Sequence, residues 1–363
     1  MDDDLDRRYM RLALRLAFKA AGRTSPNPMV GAVLVRKREI IATGYHQCAG
    51  SDHAEIVALN RAGKRARGAT LYLNLEPCNH EGNTPPCTVS LIRSGVKRVV
   101  AGMVDPNPLV SGKGIRRLRR AGIQVHVGTL KTECQRLNEA FKKYITQHLP
   151  FVILKLAASL DGKIATSKGD SQWITGVASR NYVHRLRNQV DAVLVGVGTV
   201  LADDPRLTCR IPGGRDPWRV ILDGHLRIPL SAHLLRQRDP EKTIIISSSR
   251  APIKKIKAIH DCGARVWNFP WRKGGIPFAS ILKRLSQMGL LSVMVEGGPI
   301  TAARALRERA VDKILFFYAP KIIGGEGRTM IEALGIRTII QSKGIKDVEI
   351  KRFERDYLVS GYL

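Results

Sequence analysis

The chain has 363 residues, of which 44% are apolar and 25% charged, a length and composition that suit two globular domains. No apolar run approaches the ~20 residues that cross a bilayer, so the sequence excludes a membrane-spanning protein. The net charge of +29 predicts nonspecific anion binding. Because the positive excess is spread over both halves and only 6% of residues are aromatic, specific nucleic-acid recognition is disfavoured.

The first residues and the cysteines predict a cellular location. Three of the first four residues are aspartates, unlike the basic start of a secretory signal or an acid-poor transit peptide. Two of the six cysteines belong to a motif described below. The other four show no pairing pattern, as expected for reduced thiols: Cys48, Cys134, Cys209 and Cys262. We therefore expect a cytoplasmic protein.

The first half of the chain alternates helical and extended patterns, which predicts an α/β layer. The predicted elements, in chain order, are a helix over 5–21, a hairpin over 30–35 and 40–44, a helix near His53, a strand over 69–75, a strand over 96–104, a helix over 113–121 and a strand over 123–127. The pattern breaks around Pro150, which indicates a linker. We therefore predict two domains, residues 1–147 and 148–363.

The second half predicts a mostly parallel sheet covered on both faces. Its apolar runs, separated by helical stretches, are 151–158, 190–197, 220–222, 243–247, 291–295 and 314–318. Gly297-Gly298-Pro299 precedes a helical pattern, so the backbone amides there are a candidate pyrophosphate site. A Gly-x-Gly-x-x-Gly fingerprint is missing, which disfavours a standard Rossmann domain.

The first half carries the pattern of a zinc-dependent deaminase: His53-Ala54-Glu55, then Pro77-Cys78, then Cys87. A catalytic zinc takes three protein ligands and keeps one position for water, whose pKa falls toward about 7. His53, Cys78 and Cys87 supply the three ligands. Glu55 is close enough to His53 to move protons during hydrolytic deamination. Each residue alone is more often a core or surface residue, so the prediction depends on the combination.

The spacing of the two cysteines narrows the prediction. Eight residues separate Cys78 from Cys87, whereas nucleic-acid and free-base deaminases usually carry Cys-x-x-Cys. This insertion resembles the deaminase half of a bifunctional riboflavin-biosynthesis family, in which a diaminohydroxyphosphoribosylaminopyrimidine deaminase is fused to a 5-amino-6-(5-phosphoribosylamino)uracil reductase. The resemblance implies a cytidine-deaminase-like α/β/α domain that binds one zinc ion per chain.

The resemblance also implies substrate contacts in the first domain. Asn27, between Pro26 and Pro28, would contact the pyrimidine ring, although from the residues alone a turn asparagine is equally expected. His80 would touch the base or the phosphoribosyl group. The chain departs from the family pattern by carrying Asn79 in place of the usual Ser, and Asn83 in place of the usual Lys or Arg. A phosphate contact from position 83 is therefore left open.

The second half resembles the riboflavin reductase domain in the segments 156–163, 171–175, 201–210, 295–298 and 319–321. Together with the deaminase motifs, this resemblance covers nearly the whole chain. The reductase domain is similar in fold to dihydrofolate reductase, an α/β fold, and uses NADPH to open and reduce a ribosyl group to ribityl.

Carried over position by position, the resemblance implies two sets of site residues in the second domain. Those along NADPH would be Ala157, Trp173, Thr175, Thr199, Asp203, Gly297 and Gly298. Those that hold the substrate would be Ser171, Arg187, Leu207, Arg210 and Glu296. Of these, Arg187 and Arg210 suit its phosphate.

Lys155 and Asp203 are the candidates for proton transfer in the reductase. Lys155 lies within a predicted apolar strand, where a surface lysine is not expected, whereas Asp203 is alternatively a helix-terminus residue. A further hypothesis is that Ser247, Ser248 and Arg250 hold the 2′-phosphate and so select NADPH over NADH.

The leading interpretation is a bifunctional enzyme of riboflavin biosynthesis. It would deaminate 2,5-diamino-6-ribosylamino-4(3H)-pyrimidinone 5′-phosphate with zinc and then reduce the ribosyl group with NADPH. A deaminase with a non-catalytic second domain is disfavoured by the motifs around Asp203, Arg210 and Glu296, and a basic RNA-acting deaminase is favoured only by net charge. The expected partner is a small phosphorylated pyrimidine, with no specific nucleic acid and no membrane. The oligomeric state is open, with a homo-oligomer as one alternative.

Overall fold

The structure, a computed structural model, describes residues 3–79, 86–272 and 275–363. The chain divides into two compact units, Met1–Leu149 and Pro150–Leu363. Among the described residues, no helix combines the length and the apolar character that crossing a membrane requires.

The first unit alternates helices and strands. In chain order they are α1 (Asp3–Phe18), β1 (Gly31–Arg36), β2 (Glu39–Tyr45), α2 (Ala54–Ala62), β3 (Thr70–Leu73), α3 (Cys87–Ser94), β4 (Arg98–Ala101), α4 (Lys113–Arg120), β5 (Gln124–Val127), α5 (Lys131–Leu137) and α6 (Glu139–Gln147). The strands form one sheet in the order β2-β1-β3-β4-β5. β1 is antiparallel to β2 and β3, whereas β3, β4 and β5 are parallel.

Both faces of this sheet are covered by helices. Successive strand side chains point to opposite faces, and β1 shows the consequence. Ala32 and Leu34 pack into a core with apolar residues of α2, α3 and α4. Val33 and Val35 pack into a second core with apolar residues of α1 and α5. The sheet is therefore the middle layer of an α/β/α domain, as predicted.

The second unit contains the remaining elements. In chain order they are β6 (Phe151–Ser159), β7 (Lys163–Ala165), α7 (Val177–Gln189), β8 (Ala192–Gly196), α8 (Val197–Asp203), β9 (Trp218–Leu222), β10 (Thr243–Ser248), α9 (Ile253–Asp261), β11 (Arg265–Phe269), α10 (Phe278–Gln287), β12 (Ser292–Val295), α11 (Pro299–Arg307), β13 (Lys313–Ala319), β14 (Arg328–Thr329), β15 (Lys346–Phe353) and β16 (Asp356–Tyr362).

Nine of these strands form one sheet in the order β11-β10-β9-β8-β12-β6-β13-β16-β15. The strands from β11 to β13 are parallel, and every residue of β10 and β12 is buried, as expected for a sheet covered on both faces. The antiparallel strands β15 and β16 close one edge. β15 was not predicted because all but one of its residues are exposed, so it lacks an apolar pattern.

Candidate functional site

A cluster of potential metal ligands lies where three elements of the first unit meet. His53 directly precedes α2, Cys87 is the first residue of α3, and Cys78 follows the end of β3. The potential ligand atoms of the three residues all lie within 4.8 Å of one another. His53 Nδ1 is 3.1 Å from Cys87 Sγ and 3.6 Å from Cys78 Sγ. Tetrahedral zinc, with bonds of about 2.0 Å to nitrogen and about 2.3 Å to sulfur, requires ligand separations of about 3.4–3.8 Å. The separation from Cys78 lies in this range and that from Cys87 is slightly shorter, so a small movement of the side chains would let the three residues hold this ion.

The electrostatics of the cluster also suit a cation. Hydrogen bonds from Cys87 and His53 lower the pKa of Cys78 to about 4, against the effect of burial. The same sulfur contact raises the pKa of Cys87, so the two thiols share a proton. The hydrogen bond with Cys78 raises the pKa of His53 to about 9. The arrangement therefore favours a thiolate at Cys78, and a cation would stabilise it in place of the shared protons.

Glu55 lies beside the cluster in the first turn of α2 and is almost completely buried. Burial and the neighbouring Cys78 sulfur raise the pKa of Glu55 to about 7. A carboxyl group with this pKa can both accept and donate a proton near neutral pH, which is what general acid–base catalysis requires.

The structure brings Asn27 to the same region and reveals a residue that sequence reasoning missed, His46. Asn27 Nδ2 is 3.1 Å from His46 Nε2, and the His46 ring lies edge-on to the His53 ring at 5.6 Å between centroids. His46 follows β2, and no motif in the sequence singles it out. Two buried asparagines hold the segment of Asn27 by hydrogen bonds to Met29 and Gly31, namely Asn74 and Asn138. The predicted contact His80 lies outside the described residues, as does Asn83.

The second unit contains a cavity of about 830 Å³. The residues that the family resemblance implies for NADPH and the substrate, together with Lys155, all line it except Leu207: Lys155, Ala157, Ser171, Trp173, Thr175, Arg187, Thr199, Asp203, Arg210, Glu296, Gly297 and Gly298. The Leu207 side chain is buried in the hydrophobic core beside the cavity, so it does not form part of the wall.

A largely buried charge network forms one wall of the cavity. Glu296 accepts two hydrogen bonds from Arg187, of 2.6 and 2.9 Å, and lies 3.6 Å from Lys155 Nζ. Burial opposes ionisation, yet Arg187 and Lys155 hold the pKa of Glu296 below its usual value. Burial lowers the pKa of Lys155, although Glu296 opposes the shift. Arg187 also donates to the Thr208 carbonyl oxygen at 3.0 Å, so three of its five donors are engaged within the protein.

The predicted phosphate ligand Arg210 lies at the exposed rim of the cavity. Its Nε is 3.2 Å from Nε2 of His184, which also lines the cavity. Like His46 in the first unit, His184 was not predicted from the sequence. Burial and the positive charges of Arg187 and Arg210 lower the pKa of His184. The imidazole is therefore neutral at pH 7 and can accept the Arg210 hydrogen bond.

The glycine turn before α11 forms another part of the wall. Gly297 and Gly298 have φ values of 124° and 78°, which glycine adopts at little cost. The turn places the amides at the start of α11 beside the cavity, where they suit an anion. Asp203, the last residue of α8, faces the same cavity, and burial raises its pKa.

The lining of the cavity differs from the hypothesis for the 2′-phosphate. Ser247, Ser248 and Arg250 are not lining residues, and both serines are buried. The lining includes Asp223, Arg227 and a ring pair, His225 and Trp271, at 5.0 Å between centroids. Asp223 is 1% exposed, and its Oδ1 has no hydrogen-bond partner in the described structure.

Comparison with known proteins relates each unit of the chain to a family. Residues 3–103 match the family model of the cytidine and deoxycytidylate deaminase zinc-binding region, and residues 150–359 match that of the RibD C-terminal domain. The chain is 46% identical to the riboflavin biosynthesis protein RibD of Aquifex aeolicus over 98% of each chain. It is 45% identical to RibD of Synechocystis over 99% of this chain and 96% of the relative.

Solved structures show the same two-unit fold. RibD of Acinetobacter baumannii matches with a TM-score of 0.88 and 35% identity, covering 99% of both chains. A Thermotoga maritima protein described as a diaminohydroxyphosphoribosylaminopyrimidine deaminase/5-amino-6-(5-phosphoribosylamino)uracil reductase matches with a TM-score of 0.87 and 39% identity, covering 100% of this chain and 99% of that one.

The fold and the two sites define a class of enzyme that joins a zinc-binding, cytidine-deaminase-like unit to a reductase unit of the dihydrofolate-reductase type. Within that class, the chain belongs to the RibD family of riboflavin biosynthesis proteins. The predicted family, fold class and pairing of a deaminase with a reductase are confirmed.

Proposed function

We propose that residues 1–147 are a zinc-dependent deaminase domain and residues 148–363 an NADPH-dependent reductase domain. They would act in turn on 2,5-diamino-6-ribosylamino-4(3H)-pyrimidinone 5′-phosphate, in keeping with the activities named for the Thermotoga relative. The observation that carries the proposal is the metal cluster with a buried carboxyl group beside it, in a chain whose other unit holds a cavity lined by a half-buried lysine, Lys155.

In the deaminase, His53, Cys78 and Cys87 would hold one zinc ion. Zinc, when bound, supplies Lewis-acid polarisation of water and lowers its pKa toward about 7. Glu55 would take a proton from the attacking water and pass it to the ring nitrogen and the departing ammonia, a role that its pKa of about 7 favours. The Asn27 amide, held against His46, would present a donor and an acceptor to the edge of the pyrimidine.

In the reductase, the dinucleotide supplies the hydride. The chain must place the nicotinamide near the ribose C1′ and protonate the ring oxygen as the C1′–O bond opens. Lys155 is the proposed proton donor, because a lowered pKa makes its ammonium group a stronger acid. Glu296 would position Lys155. Asp203, whose raised pKa favours the protonated form, is the second candidate donor.

We assign the phosphate of the substrate and the 2′-phosphate of NADPH to positively charged residues that line the cavity. Arg210, which is exposed and lines the cavity, is our choice for the substrate phosphate, and Ser171, another lining residue, is our second choice. Arg187 is already bound to Glu296, so we propose that it supports this site through its unused donors. Arg227 replaces Arg250 as the proposed ligand of the 2′-phosphate of NADPH, since Arg227 lines the cavity and Arg250 does not.

A small phosphorylated pyrimidine is therefore the proposed partner, and the cytoplasmic location stays a prediction. The test is to incubate the purified protein with the diaminopyrimidine ribosyl phosphate and follow products by mass spectrometry. The deaminated intermediate should accumulate without NADPH, and the ribityl product should appear on its addition. If the deaminated intermediate still accumulates when NADPH or NADH is added, the second domain is not catalytic. A substrate that stays unchanged would refute both assignments.

A further inference from the structure

Glu76 is a buried carboxylate that the mechanism above does not use. It lies two residues before Cys78 and is 3% exposed. Its Oε2 accepts hydrogen bonds from the backbone amides of Gly112, at 2.8 Å, and Asp105, at 3.2 Å, and its Oε1 accepts one from Ile115, at 3.1 Å. A single side chain therefore connects the segment of Cys78 to a stretch of chain about thirty to forty residues later.

Two of these three amides belong to the start of α4. Gly112 directly precedes the helix, and Ile115 lies in its first turn. Amides in the first turn of a helix have no partner within the helix, and the positive end of the helix dipole favours a negative charge. Glu76 therefore caps α4 from outside and fixes the distance between this helix and the backbone next to Cys78.

The approach of α4 to this backbone is unusually close. Gly114 has no side chain, and a Cβ at this position would lie 2.1 Å from the carbonyl oxygen of Pro77 and 3.2 Å from Glu76 Oε1. Any residue larger than glycine would have to displace the chain immediately before Cys78. The first turn of α4 thus rests directly on the peptide group that leads to the cysteine.

The other side of Cys78 is held in the same way. Asn79 Oδ1 accepts hydrogen bonds from Arg117 Nη1 of α4, at 2.8 Å, and from Thr88 Oγ1 of α3, at 2.9 Å. Thr88 follows Cys87, whose amide donates to Cys78 Sγ at 3.3 Å. Residues on both sides of Cys78 are therefore attached to α4, and Asn79 links them to the helix that carries Cys87.

We propose that Glu76 is a positioning residue for the metal site: by binding the start of α4 it holds Cys78 where its sulfur meets His53 and Cys87. The inference rests on the proposed role of Cys78 as a zinc ligand. Partners that orient metal ligands from outside the coordination sphere typically change metal affinity 10–100-fold when they are removed. In Glu76→Gln, an NH₂ group would replace one acceptor oxygen and face a backbone N–H, so at least one of the three hydrogen bonds is lost.

The experiment measures zinc affinity of the full chain by competition with a chromophoric chelator, together with the visible spectrum of the cobalt-substituted protein. Glu76→Gln should raise the Kd for zinc about tenfold and shift the cobalt bands, which report ligand geometry. Asp6→Asn is the matched control, because Asp6 is a buried carboxylate of the same unit that binds Arg98 and Tyr72. It should leave the zinc Kd and the cobalt spectrum of the folded protein unchanged.

Gly114→Ala keeps the inference testable if Glu76→Gln fails to fold. Alanine favours a helix more than glycine does, so weakened zinc binding in this variant would report displacement of Pro77 rather than loss of helix. An unchanged zinc Kd in both Glu76→Gln and Gly114→Ala, or an equal change in Asp6→Asn, would overturn the inference. A Cys78→Ala variant that binds zinc as tightly as the native chain would instead overturn the proposed ligand set, and the inference with it.

Discussion

The two sites differ in how the chain assembles them. The proposed metal ligands lie between His53 and Cys87, at two helix starts and after one strand, and each must be a residue type that zinc accepts. The reductase cavity collects side chains from Lys155 to Glu332, and most of its lining residues belong to common types. The first site is therefore visible as a short motif, whereas the second depends on the three-dimensional arrangement of distant strand ends.

Substitutions at the metal site and in the cavity should therefore have different effects. The metal site depends on a few atoms at fixed distances, so loss of one ligand should abolish it. The cavity depends on a charge network in which Glu296 balances Lys155 and Arg187, so loss of one member should disturb both catalysis and folding of that unit. Single changes should therefore separate the two activities.

Cys87→Ser should have the largest effect. It removes one of the three proposed ligands, so zinc and ammonia release should both be lost, while reduction of the deaminated intermediate continues. Metal analysis and the two assays measure this. Cys48→Ser is the control, because Cys48 is exposed and should retain zinc and both activities. Zinc retained by Cys87→Ser would contradict the proposed ligand set.

Glu55→Gln should keep zinc yet lower the rate of ammonia release by about 10²–10⁴-fold, since the amide cannot shuttle protons. The rate and the zinc content of the purified variant give the comparison. Glu39→Gln, at an exposed carboxylate of the same unit, should match the native protein. Ammonia release at the native rate in Glu55→Gln would remove the proton-shuttle role.

Glu296→Gln should abolish most of the reduction and destabilise the second unit by up to about 3–5 kcal/mol, because Arg187 and Lys155 are left largely buried without a balancing charge. Denaturant unfolding and NADPH oxidation are the measurements. Glu349→Gln removes an exposed carboxylate 4.0 Å from Lys351 and should change stability by less than about 0.5 kcal/mol. Equal stability of the two variants would contradict the charge network.

Arg227→Ala should lower the preference for NADPH over NADH by about 10–150-fold, because one charge-assisted contact is worth about 1.5–3 kcal/mol. The ratio of kcat/KM for the two dinucleotides measures this preference. Arg250→Ala should leave the ratio unchanged, since Arg250 lies outside the cavity lining. The opposite result for the two variants would restore the hypothesis drawn from the sequence.

Asp6 should have the smallest effect, visible as a pH dependence of stability. Burial opposes the shift, but hydrogen bonds from Arg98 and Tyr72 lower the pKa of Asp6 below 3.8. A carboxylate with a lowered pKa in the folded state stabilises the fold above its unfolded pKa, and this contribution is lost as the pH falls through the folded pKa. The stability difference between the native protein and Asp6→Asn should therefore shrink below about pH 4.

Asp4→Asn provides the matched control for this pH dependence. Asp4 lies in the same first turn of α1 but is exposed, so its replacement should change stability little at any pH. A stability difference between Asp6→Asn and the native protein that stayed constant from pH 7 to pH 3 would contradict the proposed ionisation of Asp6.

The sequence predicted the parts of the molecule that local patterns encode. The six predicted strands of the second half correspond to β6, β8, β9, β10, β12 and β13, because buried parallel strands are continuous apolar runs. Lys155 was noticed for the same reason, as a charge within such a run. Strand β15 escaped prediction because its residues are exposed and polar.

Contacts between distant residues were not accessible from the sequence. His46, His184 and Glu76 carry no motif, and their partners are set by sheet order and helix packing. Arg250 was proposed as a 2′-phosphate ligand because it follows a predicted strand in the sequence. In the structure, the segment after β9 lines the cavity instead. The family resemblance supplied the remaining reductase residues, whose types alone indicate no function.

The most direct test of two independent sites in one chain is a two-channel assay with and without a zinc chelator. Ammonia release is followed from the diaminopyrimidine ribosyl phosphate, and NADPH oxidation from the separately prepared deaminated intermediate. We predict that chelation stops ammonia release and leaves NADPH oxidation at its native rate. Loss of both activities on chelation, or ammonia release that continues without zinc, would contradict the account.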